Sequence, residues 1–542
     1  MPEAVERVVE QALAKVPADR FATAEEFAAA LASAGSARAI ALERGRLRRV
    51  TRRRVTRRRV MGLIAGLLAV AAGSWWVATR IGGPAIRRFA VLPFDNATAD
   101  PAQAYLADGV HEALISDLAN EGLGVIARTS VVQYQRSAKP VRVIARELGV
   151  DALVETSLTR TRDSVTVHAR LVDGRTEQYL WSHAYGASLA QVPSLALTVA
   201  RGIAGAIAPK RMSGIHRAMG QQRPVDPEAY DDYLKGRSYL HRPTPTDLAT
   251  ARDYFERAIA RDSSYAPAWA GISEYWTTAR QRGYFTPQEA TPPSEAAAYK
   301  ALALDSMLAE PDFALAGAKV YGEWDWQGGE REYRRAIALQ PDFAQARAFY
   351  AHLLCILHRP REATQQLERV RELDPLDPLL AWINGATLVL LGRSGDAIGL
   401  YREALARSPN NPAPAFLLWS ALDLGGRFPQ ADSALQRWAE VSGDSGLASA
   451  IARGHRQGGY LGAVRTGADY EAARSHTTFV HAWDIAIWYA TARDNADAMT
   501  WLERAYTEHD PTMPYLEVHP RFNQLHDDPR FKELVRRMKL PG

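Results

Sequence analysis

Three prolines, Pro341, Pro375 and Pro409, stand 34 residues apart, and the residues around them repeat in register. With each proline at position 32 of a 34-residue unit, small residues fall at position 8: Gly317, Ala351 and Gly385. Ala363 and Ala397 fall at position 20, Tyr333, Leu367 and Tyr401 at position 24, and Ala336, Val370 and Ala404 at position 27. The period extends back to Ala251, Phe255 and Ala258 and forward to Ala431, and Ala486, Ala498 and Ala505 mark a last unit. A single unit of this size cannot bury its own apolar face, so the chain must stack neighbours into an elongated array. Small residues let two helices cross closely, large apolar ones fill the space between crossings, and proline stops the second helix.

This register resembles the tetratricopeptide repeat. The resemblance implies about seven or eight two-helix units over 227–512, with a looser second unit around "TPPSEA" and a degenerate stretch near 447–478. "LHDDPRFKELVRRMKL" predicts a last helix, within 513–542, that caps the exposed end of the stack. The implied partner is a protein or peptide held in a concave groove lined by first helices, whose residues the sequence alone does not name.

Ahead of the repeats, and joined to them by a linker at 211–226, residues 86–210 read as a small α/β domain. Phe89 to Phe94 is a short buried strand, "YLADGVHEALISDLA" a helix and "LGVIAR" a second strand. "VRVIARELG" is a short helix. From Asp151 on, apolar and polar residues alternate through turns at Arg162–Asp163 and Asp173–Gly174, as antiparallel strands do, and a helix over 189–208 closes the domain. "FAVLPFDN", "VIARTSVVQY", "ARELGVDALVETSL" and "VHARLVDGRTEQYLWSHAY" resemble the TolB amino-terminal-domain-like family, which implies a non-catalytic interaction or ligand-binding module of the bacterial envelope.

No catalytic or metal constellation stands out. "HEALI" begins like a zinc-binding HExxH, but Ile115 replaces the second histidine. Gly122 and Gly124 follow a helix, the wrong context for a dinucleotide loop. Asp95, Asp100 and Asp108 read as helix-capping residues rather than a cation site. Cys355 is the single cysteine, so no intramolecular disulfide forms, and it reads as a small buried apolar residue. The expectation is a chain that is not itself an enzyme and holds no cofactor and no metal.

The formal charge of +5 is local. Residues 1–59 carry 14 Lys/Arg against 7 Asp/Glu, which leaves the rest of the chain slightly acidic and gives no support for a nucleic-acid surface. Ten of those arginines lie in "RGRLRRVTRRRVTRRR", a juxtamembrane segment within 36–59, ahead of the uncharged run Val60–Thr79. Twenty apolar residues suffice for a transmembrane helix, assigned to 60–81, and the arginines place the N-terminus in the cytoplasm. The expected fold class is therefore mainly α: a tetratricopeptide α-solenoid, a small α/β domain and one transmembrane helix. The expected location is the inner membrane, single-pass, with the C-terminal domains periplasmic. Lipid is then a partner, and Gly62 with Gly66 offers a small-residue face for a homodimer. Thr51 and Thr56, each ending an RRVT, are candidate phosphorylation sites, although the arginines read first as a topology signal.

Residues 1–35 carry "LAKVPADRFATAEEFAAAL", which resembles the end of the C-terminal lobe of bacterial Ser/Thr protein kinases. The resemblance implies that Arg20 is the lobe's structural arginine. This chain lacks the glycine loop, the V-A-I-K lysine, H-R-D, D-F-G and A-P-E, so phosphoryl transfer has no machinery here. The order of parts resembles bacterial proteins that join a kinase or cyclase domain to such a span, α/β domain and repeats. Two functions follow: a membrane-anchored scaffold or sensor within a signalling system, or the C-terminal part of a receptor-type Ser/Thr kinase whose catalytic domain is encoded upstream.

Overall fold

The computed structural model divides the chain into two units, Met1–Ala85 and Ile86–Gly542. It describes residues 86–541 apart from 97–103, 162–163, 189–190, 209–225, 241–243, 282–283, 408 and 479. The first unit lies outside the described residues, and with it the kinase-like segment, Arg20, Thr51, Thr56, Gly62, Gly66 and the apolar run from Val60 to Thr79.

The second unit opens with the α/β domain. Its strands are β1 (Arg88–Val91), β2 (Asp95–Asn96), β3 (Gly124–Val125), β4 (Ala152–Arg160), β5 (Ser164–Asp173) and β6 (Tyr179–Ser188). The sheet runs β3-β1-β4-β5-β6, with β2 also on β4. The β1 pairings are parallel, with Phe89 opposite both Val125 and Ala152, and the long β4–β5–β6 meander is antiparallel. Strict alternation puts Val165, Val167, Ala169 and Leu171 of β5 into the core. The helices are α1 (Ala104–Asn120), α2 (Arg128–Val131), α3 (Val141–Leu148) and α4 (Val192–Ile207), with α1 and α4 packed side by side. His111 is buried with Nε2 2.9 Å from the Val91 carbonyl oxygen, and Ile115 is a core residue, so "HEALI" is a packing element.

Eight helical hairpins follow among the described residues. The helices are α5 (Pro227–Leu240), α6 (Pro245–Arg261), α7 (Ala266–Gln281), α8 (Pro287–Leu304), α9 (Ala309–Ala318), α10 (Trp326–Leu339), α11 (Ala344–Ile356) and α12 (Pro360–Leu373). They continue as α13 (Pro378–Leu390), α14 (Ser394–Arg407), α15 (Pro412–Leu424), α16 (Phe428–Val441), α17 (Ser445–Arg474), α18 (Ala482–Thr491) and α19 (Asn495–Thr507). First helices start at Ala344, Pro378 and Pro412, and second helices at Trp326, Pro360, Ser394 and Phe428, always 34 residues apart. Pro341, Pro375 and Pro409 each stand two residues beyond a second helix, where the missing N–H removes nothing from the ladder. The position-8 rule has a direct cause: a Cβ on Gly385 of α13 would lie 2.4 Å from the Tyr401 ring of α14. The stretch 445–474 is itself a hairpin. It turns at Gly458 and Gly459, the latter at φ 60°, and its halves touch at Gly454 and Gly462. The array is a tetratricopeptide-type solenoid.

The expected fold class and location require correction. Among the described residues no helix is long and apolar enough to cross a membrane. The longest, α17, carries Arg453, Arg456, Arg465, Asp469 and Glu471 and bends at its glycines. The described chain is a mainly helical solenoid with a small sheet, without a transmembrane helix. The single-pass inner-membrane location and the lipid contact lose their support, and the 60–81 segment behind them lies outside the described residues.

Candidate functional site

First helices present repeat positions 5 or 6 and 9 to the concave side. These are Phe349 and His352 of α11, Trp382 and Ala386 of α13, and Phe416 and Ser420 of α15. With residues of α5, α7, α9 and α18 they line one continuous groove of about 3090 Å³. Its wall is unusually apolar for a wet surface. Of eleven large hydrophobic residues left exposed among the described residues, five line this groove: Val132, Leu304, Met307, Leu379 and Trp382. Trp382 is 41% exposed. Exposed aromatic and aliphatic side chains gathered in a concavity mark a binding surface.

The α/β domain closes one flank of the groove, because it is bonded to two distant hairpins. At the first, Arg237 of α5 is half-buried and donates to Glu112 of α1 and Glu274 of α7. Tyr105 Oη donates to Asp231 at 2.6 Å. A Cβ on Gly109 would lie 2.5 Å from Leu234, so glycine permits α1 to approach α5. At the fourth hairpin, the Ala127 amide donates to the Leu373 carbonyl at 3.0 Å. There Thr129 and Ser130 donate to the Asp374 carboxylate, and the Leu376 amide donates to Ser130 Oγ at 2.8 Å. Burial pushes Asp374 up to about 7, against the pull of those hydroxyls.

The far end is filled by the chain itself. After α19 the backbone makes two 3₁₀ turns, Met513–Tyr515 and Pro520–Leu525, and a last helix, α20 (Pro529–Arg537). Tyr515 reaches Tyr321 at 2.9 Å and His352 Nδ1 at 2.8 Å. Arg521 donates to Asp423 of α15, and Trp326 Nε1 donates to the Lys539 carbonyl at 2.9 Å. Met513, Leu516, Phe522 and Leu525 join the core of the repeats. The open groove is what this segment leaves free.

Charge is uneven along the lining. It holds twelve Asp/Glu against four Arg and no Lys. Arg237 is spent on Glu112 and Glu274, and Arg128 pairs with Asp108 at 3.2 Å. Burial pushes Asp117, Asp342 and Asp484 up to about 6 and raises Glu310. None of these four makes an ion pair with a described cation within 4 Å.

Among the described residues no three His, Cys, Asp or Glu side chains are placed to hold a metal ion. Asp108 is paired with Arg128, Asp95 lies in β2, and Asp100 is outside the described residues. Cys355 is buried and free, its thiol pushed up to about 12 by burial. Sequence periodicity alone does not show the groove residues, because which face is concave depends on the twist of the whole stack.

No family model matches the chain. A curated relative, "Putative adenylate cyclase 3" of Rhizobium meliloti (strain 1021), is 35% identical over 191 residues. That is 35% of this chain and 32% of the relative, so the chain spans about a third of the relative's length. Similar solved structures include pilF of Pseudomonas aeruginosa, with 21% identity, 40% of this chain and 93% of that one covered, and a TM-score of 0.31. YrrB, a TPR protein with an unusual peptide-binding site, has 17% identity, coverage of 37% and 97%, and a TM-score of 0.27. Yeast Tom70 has 14% identity, coverage of 59% and 69%, and a TM-score of 0.34. At such scores the fold assignment rests on the hairpins of this chain. The comparisons support neither the kinase-type context nor the TolB-like resemblance.

Proposed function

We propose that this chain is a non-catalytic scaffold whose groove binds an extended segment of a partner protein. The carrying observation is the clustering of exposed Trp382, Leu379, Met307 and Leu304 along one concave surface. Such anchors stay solvated at a cost in the free protein and gain most on burial. The test is selection of peptides from a random display library on the full chain, repeated with Trp382→Ala and Leu379→Ala. Enrichment that disappears in both variants, with unchanged thermal stability, supports the reading. Enrichment indifferent to both overturns it.

A second reading is favoured by the relative: the scaffold serves a larger signalling enzyme. The relative's name points to a nucleotide cyclase, whereas the residues near Arg20 point to a Ser/Thr kinase. Sequencing the DNA upstream in frame separates these, since cyclase and kinase catalytic motifs do not overlap. Phosphorylation of Thr51 or Thr56 belongs to this reading and is tested by mass spectrometry of the chain from its native cells.

A further inference from the structure

The groove's charge specifies what kind of segment it takes. Glu310 of α9 lies beside the Arg237 cluster, where that guanidinium already serves Glu112 and Glu274, so three carboxylates share one cation. Asp117 of α1, Asp342 after α10 and Asp484 of α18 line the same space from three other directions without an ion pair within 4 Å, and feel Arg201, Arg369 and His481 only at longer range. Asp342 Oδ1 is buried with no hydrogen-bond partner. Such an excess of carboxylates opposes folding of the empty protein, since a low-dielectric site disfavours the charged form. Arg201 and Arg280 are the counterweights, and the Arg280 guanidinium is anchored on Thr291 Oγ1 of α8 at 3.4 Å.

A second, independent feature points to the backbone of a ligand. Tyr333 and Tyr401 line the groove and are 0% and 1% exposed, and neither hydroxyl has a hydrogen-bond partner. A buried O–H without an acceptor is costly, and a peptide carbonyl is a suitable acceptor.

We infer that the groove selects a cationic polypeptide segment, in which arginine or lysine side chains alternate with apolar ones. The cations meet Asp117, Glu310, Asp342 and Asp484, the apolar side chains meet Trp382 and Leu379, and backbone carbonyls accept from Tyr333 and Tyr401. The inference rests on the groove being a polypeptide site and adds its charge preference.

The experiment measures fluorescence anisotropy of labelled nonapeptides that alternate leucine with arginine, serine or glutamate, against the full chain. The arginine peptide should bind at least about tenfold tighter than the serine peptide, with the difference shrinking as salt rises. Glu310→Gln and Asp117→Asn should each weaken the arginine peptide about fivefold. Both should leave binding of the serine peptide in place, and neither should lower the melting temperature, because each removes a charge that burial disfavours. Glu403→Gln and Glu440→Gln, on exposed faces of second helices, should change nothing. Equal or tighter binding of the serine or glutamate peptide overturns the charge preference while the groove reading stands. Sensitivity to Glu403 or Glu440 in place of Glu310 or Asp117 overturns it as well. Failure of all three peptides to bind overturns both.

Discussion

The Tyr515 hydroxyl lies 2.9 Å from the Tyr321 hydroxyl across 194 residues of sequence, and 2.8 Å from His352 Nδ1. His352 Nε2 is 3.1 Å from the Ile383 carbonyl, which can only accept. The imidazole proton therefore sits on Nε2, Tyr515 donates to Nδ1, and Tyr321 donates to Tyr515. This buried chain of bonds ties the segment after the last hairpin to the third and fourth. Tyr515→Phe should cost about 1–2 kcal/mol, and Tyr515→Ala about 3–5 kcal/mol as a cavity is added, read from urea unfolding.

The same histidine gives a pH dependence. Burial lowers His352 to about 4 from an ordinary value near 6.5. Its neutral form contributes stability that is complete above about pH 6.5 and is lost as pH falls toward 4. His111 and His519, also lowered by burial, act in the same direction. The raised Asp117, Asp342 and Asp484 act oppositely, favouring the fold as pH falls through about 6 toward 3.8. The quantity to measure is therefore the difference between wild type and His352→Asn. The gap in melting temperature between them should narrow from pH 7 to pH 5.

Gly385→Ala should destabilise by about 1–3 kcal/mol, because its methyl group meets the Tyr401 ring at 2.4 Å. Tyr401→Leu added to Gly385→Ala should recover part of that loss. Chemical denaturation of the single and double variants checks both statements.

Asp374→Ala should loosen the α/β domain from the fourth hairpin, leaving Ser130 and Thr129 without their acceptor at a cost of about 2 kcal/mol. Hydrogen exchange at the Ala127 amide, bonded to Leu373, should quicken in this variant. Exchange at β4 and β5 should not change.

The hairpins were legible because small residues recur at a fixed spacing, as Gly385 against Tyr401 shows. The α/β strands were legible wherever alternation is strict, as in β5. What stayed hidden depends on contacts distant in sequence. Nothing local marks Tyr515 as a partner of Tyr321, or Asp374 as an acceptor for Ser130. The groove's exposed Trp382 and Leu379 also escape, since a helical pattern identifies an apolar residue without telling whether the stack's curvature leaves it in water. The span at 60–81 rested on the length of an uncharged run outside the described residues, and no described helix is long and apolar enough to cross a membrane.

The bond from Trp326 to the Lys539 carbonyl alters how such a stack comes apart. An open array frays from its ends, each terminal unit melting at the expense of one neighbour. Here the C-terminal residues are latched to the third hairpin, so unzipping cannot begin there without also stripping the middle of the chain. Pulled from its C-terminus, this protein should resist as one block and then give way at once, instead of paying out hairpin by hairpin.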